Sequence, residues 1–171
     1  MKPLVLYYSR TGSNKTMAEA IAKAIVADCH EIVDCRNRGG ALGFLRSGYD
    51  AYRRKLTEIE LKVHPEAYDP IIIGNPVWAG RMTPAVRTFL TNHSMTGKQL
   101  AFFSVSGDGT AEGAFDEMKR LAAGAVVHET LVIAEKDLRA GNHAMQIQDF
   151  VRRLEDSVAR GPTSTHPPES D

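Results

Sequence analysis

Four hydroxyl side chains and a glycine crowd the stretch Ser9-Arg10-Thr11-Gly12-Ser13-Asn14-Lys15-Thr16. An apolar run, Leu4-Val5-Leu6-Tyr7-Tyr8, ends abruptly at its start, and Met17, Ala20, Ile21, Ala24 and Ile25 follow at helical spacing. A buried strand therefore feeds a loop that becomes a helix N-terminus. Such a terminus presents unpaired backbone N–H groups and about half a positive charge, which suits a phosphate. The hydroxyls of Ser9, Thr11, Ser13 and Thr16 add donors to the same anion. An ordinary strand-to-helix turn with a Ser or Thr cap would use the same residue types, so the stretch alone leaves both readings open.

Two further loops have unusual composition. Gly74-Asn75-Pro76-Val77-Trp78-Ala79-Gly80-Arg81-Met82-Thr83 holds the chain's only tryptophan. Trp78 offers a large flat surface for stacking on a planar ligand, or else a plug for the top of a sheet. Gly80 permits positive φ and close backbone approach. Ser106-Gly107-Asp108-Gly109-Thr110-Ala111-Glu112-Gly113 can turn backbone N–H groups toward a polar ring edge, or serve as a flexible turn. Other nucleotide and nucleophile motifs fail. Gly107, Gly109 and Gly113 miss the G-x-G-x-x-G spacing by one residue, and neither G-x-x-x-x-G-K-[ST] nor G-x-S-x-G occurs.

These loops must be positioned by the elements between them. Strands are predicted at Leu4 to Tyr8, Glu31 to Asp34, Ile71 to Gly74, Leu100 to Val105 and Val126 to Ala134. Helices are predicted near Asn14 to Ala27, Pro84 to Asn92, Ala114 to Ala122 and Ala144 to Ala159. The strands are short and apolar on both faces, as expected when helices cover both sides of a sheet. Alternation of this kind gives a doubly wound α/β domain with a five-stranded parallel sheet and right-handed crossovers. Ligands of open α/β sheets bind beyond the carboxyl ends of the strands, where all three loops would lie.

One segment breaks the rhythm. Leu45, Tyr49, Tyr52 and Leu56 recur at helical spacing in a long stretch before the third strand, with Arg46, Arg53, Arg54 and Lys55 beside them. It reads either as a helix packed on the sheet with a solvated charged face or as a lid whose aromatics and arginines shape a ligand or partner site.

At 171 residues and 43% apolar content, the chain is expected to form one domain over 1–160. The stretch 161–171 is polar and Pro-rich and is expected to be a disordered tail. Basic and acidic residues balance at 21 each, so net charge does not point to nucleic acid or an anionic membrane. No apolar run is long enough for a membrane span, and no signal peptide precedes the first strand, so a cytoplasmic location is expected. Cys29 and Cys35 form no C-x-x-C pair and the six histidines fall singly, so no metal ligation is expected.

Together the three loops resemble those of the flavodoxin-like family, over about Lys2 to Leu154. Ser9 to Thr16 is similar to its FMN phosphate loop, Pro76 to Arg81 to the segment against the isoalloxazine ring, and Ser106 to Gly109 to its third flavin loop. The resemblance implies strand order 2-1-3-4-5. It implies FMN as cofactor, with the phosphate held in the loop of Ser9, Arg10, Thr11, Gly12, Ser13, Asn14 and Thr16. Pro76, Val77, Trp78, Ala79, Gly80 and Arg81 would line the ring, and Ser106, Gly107, Asp108 and Gly109 would contact its pyrimidine edge. Two departures stand out. The third loop lacks the aromatic that typical flavodoxins use to cover one ring face, and the chain is neutral where they are acidic. A nearer resemblance is to shorter-loop members, including quinone reductases of the tryptophan-repressor-binding type, which share the Pro-x-x-x-Gly-x-Met pattern of Pro76 to Met82.

The implied function is electron carriage between redox partner proteins, with no catalytic side chain, and with the Gly80 peptide free to reorient toward the reduced ring. An alternative is an NAD(P)H-dependent FMN quinone reductase using the uncovered ring face. A second alternative is a flavin-free signalling or interaction domain, although receiver domains want an acidic cluster where this chain has Tyr7-Tyr8-Ser9.

Overall fold

The computed structural model describes residues 1–161. The expected tail lies almost wholly outside them. The elements run β1 (Leu4–Tyr7), α1 (Ser13–Ile25), β2 (Asp28–Glu31), β3 (Val33–Asp34), α2 (Gly40–Tyr52), β4 (Ile59–Glu60), β5 (Ile71–Gly74), α3 (Pro84–Asn92), β6 (Gln99–Ser106), α4 (Glu112–Leu121), β7 (Val126–Ala134), α5 (Glu135–Arg139) and α6 (Ala144–Arg160). The main sheet is parallel, in the order β2-β1-β5-β6-β7. Counting only its own strands, that is 2-1-3-4-5.

Side chains alternate across each strand, and this builds two cores. Leu4, Leu6, Ile71, Ile73, Leu100 and Phe102 face α3 and α4, meeting Val86, Phe89, Phe115 and Met118. Val5, Tyr7, Ile72, Ala101 and Phe103 face α1 and α6, meeting Met17, Ile21, Ile147, Phe150 and Leu154. Each large side chain buried in this way contributes about 1.5–3 kcal/mol. The sheet is thus rigid where its strand ends must hold loops in place.

Two expectations are corrected. The second sheet strand is Asp28–Glu31, not Glu31 to Asp34. It is an edge strand paired only to β1, so half of its surroundings are solvent and it needs no continuous apolar run. Val33–Asp34 instead pairs antiparallel with Ile59–Glu60 in a separate small ribbon.

The orientation of α2 is also reversed. Its helical period is real, but Ser47, Asp50 and Ala51 are the buried residues, while Phe44, Leu45, Tyr49 and Tyr52 are exposed. The Asp50 carboxylate decides the facing. Arg38 Nη1 donates to its Oδ2 over 3.0 Å and Arg36 Nη1 over 3.1 Å, while Lys55 Nζ stands 3.4 Å from Oδ1. A buried carboxylate must stay with its cations, and that outweighs hiding the aromatics.

Candidate functional site

All three candidate loops leave the same end of the sheet, the carboxyl ends of β1, β5 and β6. Tyr8 N–H donates to the Gly74 carbonyl over 3.1 Å, and Asn75 N–H to the Phe103 carbonyl over 3.0 Å, so the chains leaving β1 and β5 are zipped to their neighbours. Asn14 crosses from α1 to β6. Its Oδ1 accepts from Val105 N–H at 3.1 Å and its Nδ2 donates to the Val105 carbonyl at 3.5 Å. The side chain is buried at 2% exposure, so its amide ties the first loop to the third and is not a free donor.

The first loop is arranged around Gly12, whose φ of +95° begins α1 with no side-chain cap. Gly12 N–H donates to Ser9 Oγ over 3.1 Å, which leaves the Ser9 hydroxyl proton free to donate outward. Ser13, Asn14 and Lys15 open the helix, where their N–H groups have no intrahelical acceptor, and no acidic residue sits in this first turn. Thr16 Oγ1 donates to the Gly12 carbonyl over 3.2 Å and so serves its own helix. The Arg10 guanidinium stands 5.1 Å from the Phe44 ring centroid, and its Nε donates to the Arg38 carbonyl over 3.2 Å.

In the second loop, Trp78 and Arg81 exchange both backbone hydrogen bonds at 3.0 Å. Between them Ala79 and Gly80 take φ of +50° and +70°, the pair of positive values that a tight two-residue hairpin needs. Gly80 adopts this readily; Ala79 holds it at a cost of about 1 kcal/mol. The Trp78 ring is half-buried, edge-on to Tyr8 at 5.5 Å, with the Arg38 guanidinium 5.5 Å from its centroid. It is therefore both partial core and partial surface. Burial, with the Asp34 charge behind it, pushes the Tyr8 phenol up to about 12, so that ring stays neutral.

Arg81 turns away from the strand ends. Its Nη1 donates to Glu117 Oε1 over 3.0 Å. Asn75, fully buried, accepts both Thr83 N–H and Thr83 Oγ at 2.9 Å, which closes the far end of the loop onto α3. In the third loop Gly107 and Asp108 are exposed and Ser106 is buried. Asp108 Oδ1 accepts from Thr110 N–H at 3.0 Å and Thr110 Oγ1 at 2.9 Å. These bonds hold its carboxyl below the ordinary carboxylate value and commit Oδ1 to shaping its own turn.

Comparison with known proteins agrees with this fold. The model of the flavodoxin domain matches residues 53–135. A putative flavoprotein from Bacteroides eggerthii DSM 20697 is 25% identical, with a TM-score of 0.69 over 85% of this chain and 98% of its own. A flavoprotein from Lactobacillus acidophilus NCFM, solved in complex with FMN, is 26% identical, with a TM-score of 0.65 over 81% and 97%. The chain is thus similar to flavodoxin-like flavoproteins in fold and, over 53–135, in sequence. A short-chain flavodoxin associated with a bacterial microcompartment shares the fold at 15% identity, with a TM-score of 0.54 over 91% and 98%. No curated protein matches the chain.

The structure adds residues to the candidate site that the sequence does not single out. Glu117 on α4 is 2% exposed and gathers Arg54 Nε at 3.0 Å, Arg81 Nη1 at 3.0 Å and Arg87 Nη2 at 2.6 Å. It also accepts from Met82 N–H at 3.4 Å, and so anchors the base of the tryptophan turn. Burial works against its charge, but the Arg87 charge and these hydrogen bonds win, leaving its carboxyl below the ordinary value. A signal was present: Glu117 falls in step with Ala114, Met118 and Leu121, an acid on an apolar helix face. Glu135, at the start of α5, accepts from Ser13 Oγ over 2.8 Å; nothing in the sequence linked these distant residues.

Two clefts flank the loops. A polar one of about 330 Å³ lies between Ser9 to Thr11 and the arginines Arg36 and Arg38. An apolar one of about 370 Å³ lies between Phe44, Leu45 and Tyr49 of α2 and the turn Val77, Trp78 and Ala79.

Proposed function

We propose that this flavodoxin-like chain binds FMN non-covalently at the carboxyl ends of β1, β5 and β6 and carries electrons between redox partners. The observation that supports this most is the placing of the three loops at adjacent strand ends, with no acidic residue in the first turn of α1 itself. The residues fit the phosphate: Ser9 keeps a free hydroxyl proton, Gly12 opens the helix without a side chain in the way, and the first turn is free of acid. The Trp78 turn suits a flat ring, and the glycines of the third loop leave their backbone accessible. FMN itself supplies one- and two-electron chemistry, while the protein orients it and sets access. Here Ser9, Thr11 and the N–H groups of α1 would bind and orient, Trp78 and Val77 would exclude water, and Gly107 and Gly109 would present N–H dipoles to the polar ring edge. The relative from Lactobacillus acidophilus, solved with FMN, supports the same cofactor.

The test is the absorbance of the purified protein, with flavin bands roughly at 370 and 450 nm, followed by titration of the stripped protein with FMN and with riboflavin. FMN binding tighter than riboflavin is expected. Absence of both the bands and the titration signal would overturn the reading.

A second reading is favoured by one feature, the apolar cleft of about 370 Å³ between α2 and the Trp78 turn. It would accept a small aromatic substrate, and the protein would then be an NAD(P)H-dependent FMN quinone reductase. Steady-state turnover with NADPH and a quinone distinguishes the two, because a carrier alone needs a partner reductase.

A further inference from the structure

Helix α2 carries its apolar residues outward. Leu42, Leu45, Tyr49 and Tyr52 are spaced three and four residues apart, and Leu56 extends the row just past the helix. Their exposures are 84%, 67%, 53%, 62% and 51%. A stripe of this period on one helix face ordinarily marks a face that is covered, and large exposed apolar patches mark interaction surfaces. The stripe cannot turn inward, because that would pull Asp50 away from Arg36 and Arg38.

The charge around the stripe has one sign. Arg46 and Arg53, seven residues apart, share one flank, and among the described residues neither makes an ion pair. Asp50 is the only acid on α2 and is 1% exposed. Arg54 and Lys55 follow, engaged with Glu117 and Asp50. The exposed Glu58 and Glu60 come after the helix, in and just before β4.

We propose that α2 docks this protein on the surface of an anionic lipid bilayer, lying in the interface with its Leu and Tyr stripe among the upper acyl chains. A helix with Leu and aromatic residues on one face and arginines beside them has the composition of an interfacial helix. Tyrosines suit the headgroup depth, and arginines reach lipid phosphates while their stems stay in apolar surroundings. A protruding ridge enters a fluid surface without needing a matching groove. Pairing with a second copy is disfavoured by charge: an antiparallel pair of stripes sets Arg46 of each copy beside Arg53 of the other, with no exposed acid on either helix. Docking would also bring the apolar cleft shared by Phe44, Tyr49 and Trp78 close to the bilayer. No part of this rests on FMN.

The test is flotation of the full chain with vesicles of phosphatidylcholine alone and of phosphatidylcholine mixed with phosphatidylglycerol. Co-flotation is expected with the anionic vesicles, falling several-fold with rising salt. Leu45→Asp and Tyr52→Asp, at exposed positions and checked for unchanged circular dichroism, are expected to abolish it. Arg46→Glu with Arg53→Glu is expected to weaken it several-fold. Failure to float with either vesicle overturns the proposal, as does flotation indifferent to the two Asp variants. A dimer in sedimentation that Leu45→Asp dissociates, without flotation, assigns the stripe to a second copy and likewise overturns it.

Discussion

Ser13 Oγ donates to Glu135 Oε1 across 2.8 Å, joining the first turn of α1 to the start of α5, 122 residues later. A carboxylate therefore stands beside the terminus proposed to take the FMN phosphate. It orients the Ser13 hydroxyl, and it also repels a doubly charged anion. With charges several ångströms apart in partly solvated surroundings, the repulsion is on the order of 1 kcal/mol. Glu135→Gln keeps an acceptor for Ser13 and removes the charge. FMN affinity is expected to rise about fivefold at low salt, the gain shrinking as salt screens the pair, while riboflavin affinity stays unchanged. Flavin fluorescence titration of both ligands measures it.

The Trp78 turn is held from outside by a missing side chain. A β-carbon on Gly113 would stand 2.6 Å from the Gly80 carbonyl oxygen, a contact that real structures do not contain. The backbone of α4 thus abuts the turn directly. Gly113→Ala must push the Gly80 peptide aside or tilt α4, at about 1–3 kcal/mol. Urea denaturation should show that loss, and FMN binding should weaken with it. Gly80→Val strains the same turn at φ +70° and should also lower stability by about 1–2 kcal/mol, with a shift in the flavin reduction potential that a fold defect far from the ring would not produce.

Glu117 is the charged anchor under that turn. Glu117→Ala leaves Arg87 buried with its carboxylate partner gone, and the expected loss is about 3–5 kcal/mol; Glu117→Gln, still able to accept hydrogen bonds, should lose less. The pH dependence follows from the lowered native value. The carboxyl has an ordinary value of 4.5 and titrates lower when folded, so the unfolded chain takes up the proton first. The stability it contributes is complete above pH 4.5 and is lost as pH falls through the native value. Asp50, also lowered, from 3.8, adds to the same acid slope. Urea midpoints below pH 4.5 should therefore fall more steeply for the native protein than for Glu117→Gln.

The loops were legible because each follows a short run of buried aliphatics that stops at small or hydroxylated residues: Tyr8 before Ser9, Ile73 before Gly74, Val105 before Ser106. A sheet strand covered on both faces leaves that mark. Strand β2 did not, since as an edge strand it reads Asp28-Cys29-His30-Glu31. For α2 the period of Leu45, Tyr49 and Tyr52 was visible, but the facing was not. It depends on Asp50 meeting Arg36 and Arg38, a tertiary event that no local pattern carries. Likewise Asn14 reads as one more polar loop residue, and only the structure shows its amide spent on Val105.

That amide makes the coupling between the first loop and β6 testable. Asn14 both accepts from Val105 N–H and donates to the Val105 carbonyl, so it substitutes for a missing strand neighbour where β5 has ended. Asn14→Ala leaves the buried Val105 N–H and C=O without their side-chain partner, at about 1–3 kcal/mol. Asn14→Asp keeps the acceptor but sets a carboxylate against a carbonyl oxygen, and it adds negative charge to the first turn of α1. Both variants should therefore unfold at lower urea. Only Asn14→Asp should lower the ratio of FMN to riboflavin affinity well beyond the loss of stability, because only it puts a charge beside the phosphate. If the two variants lower that ratio equally, the effect comes from loop geometry and not from charge.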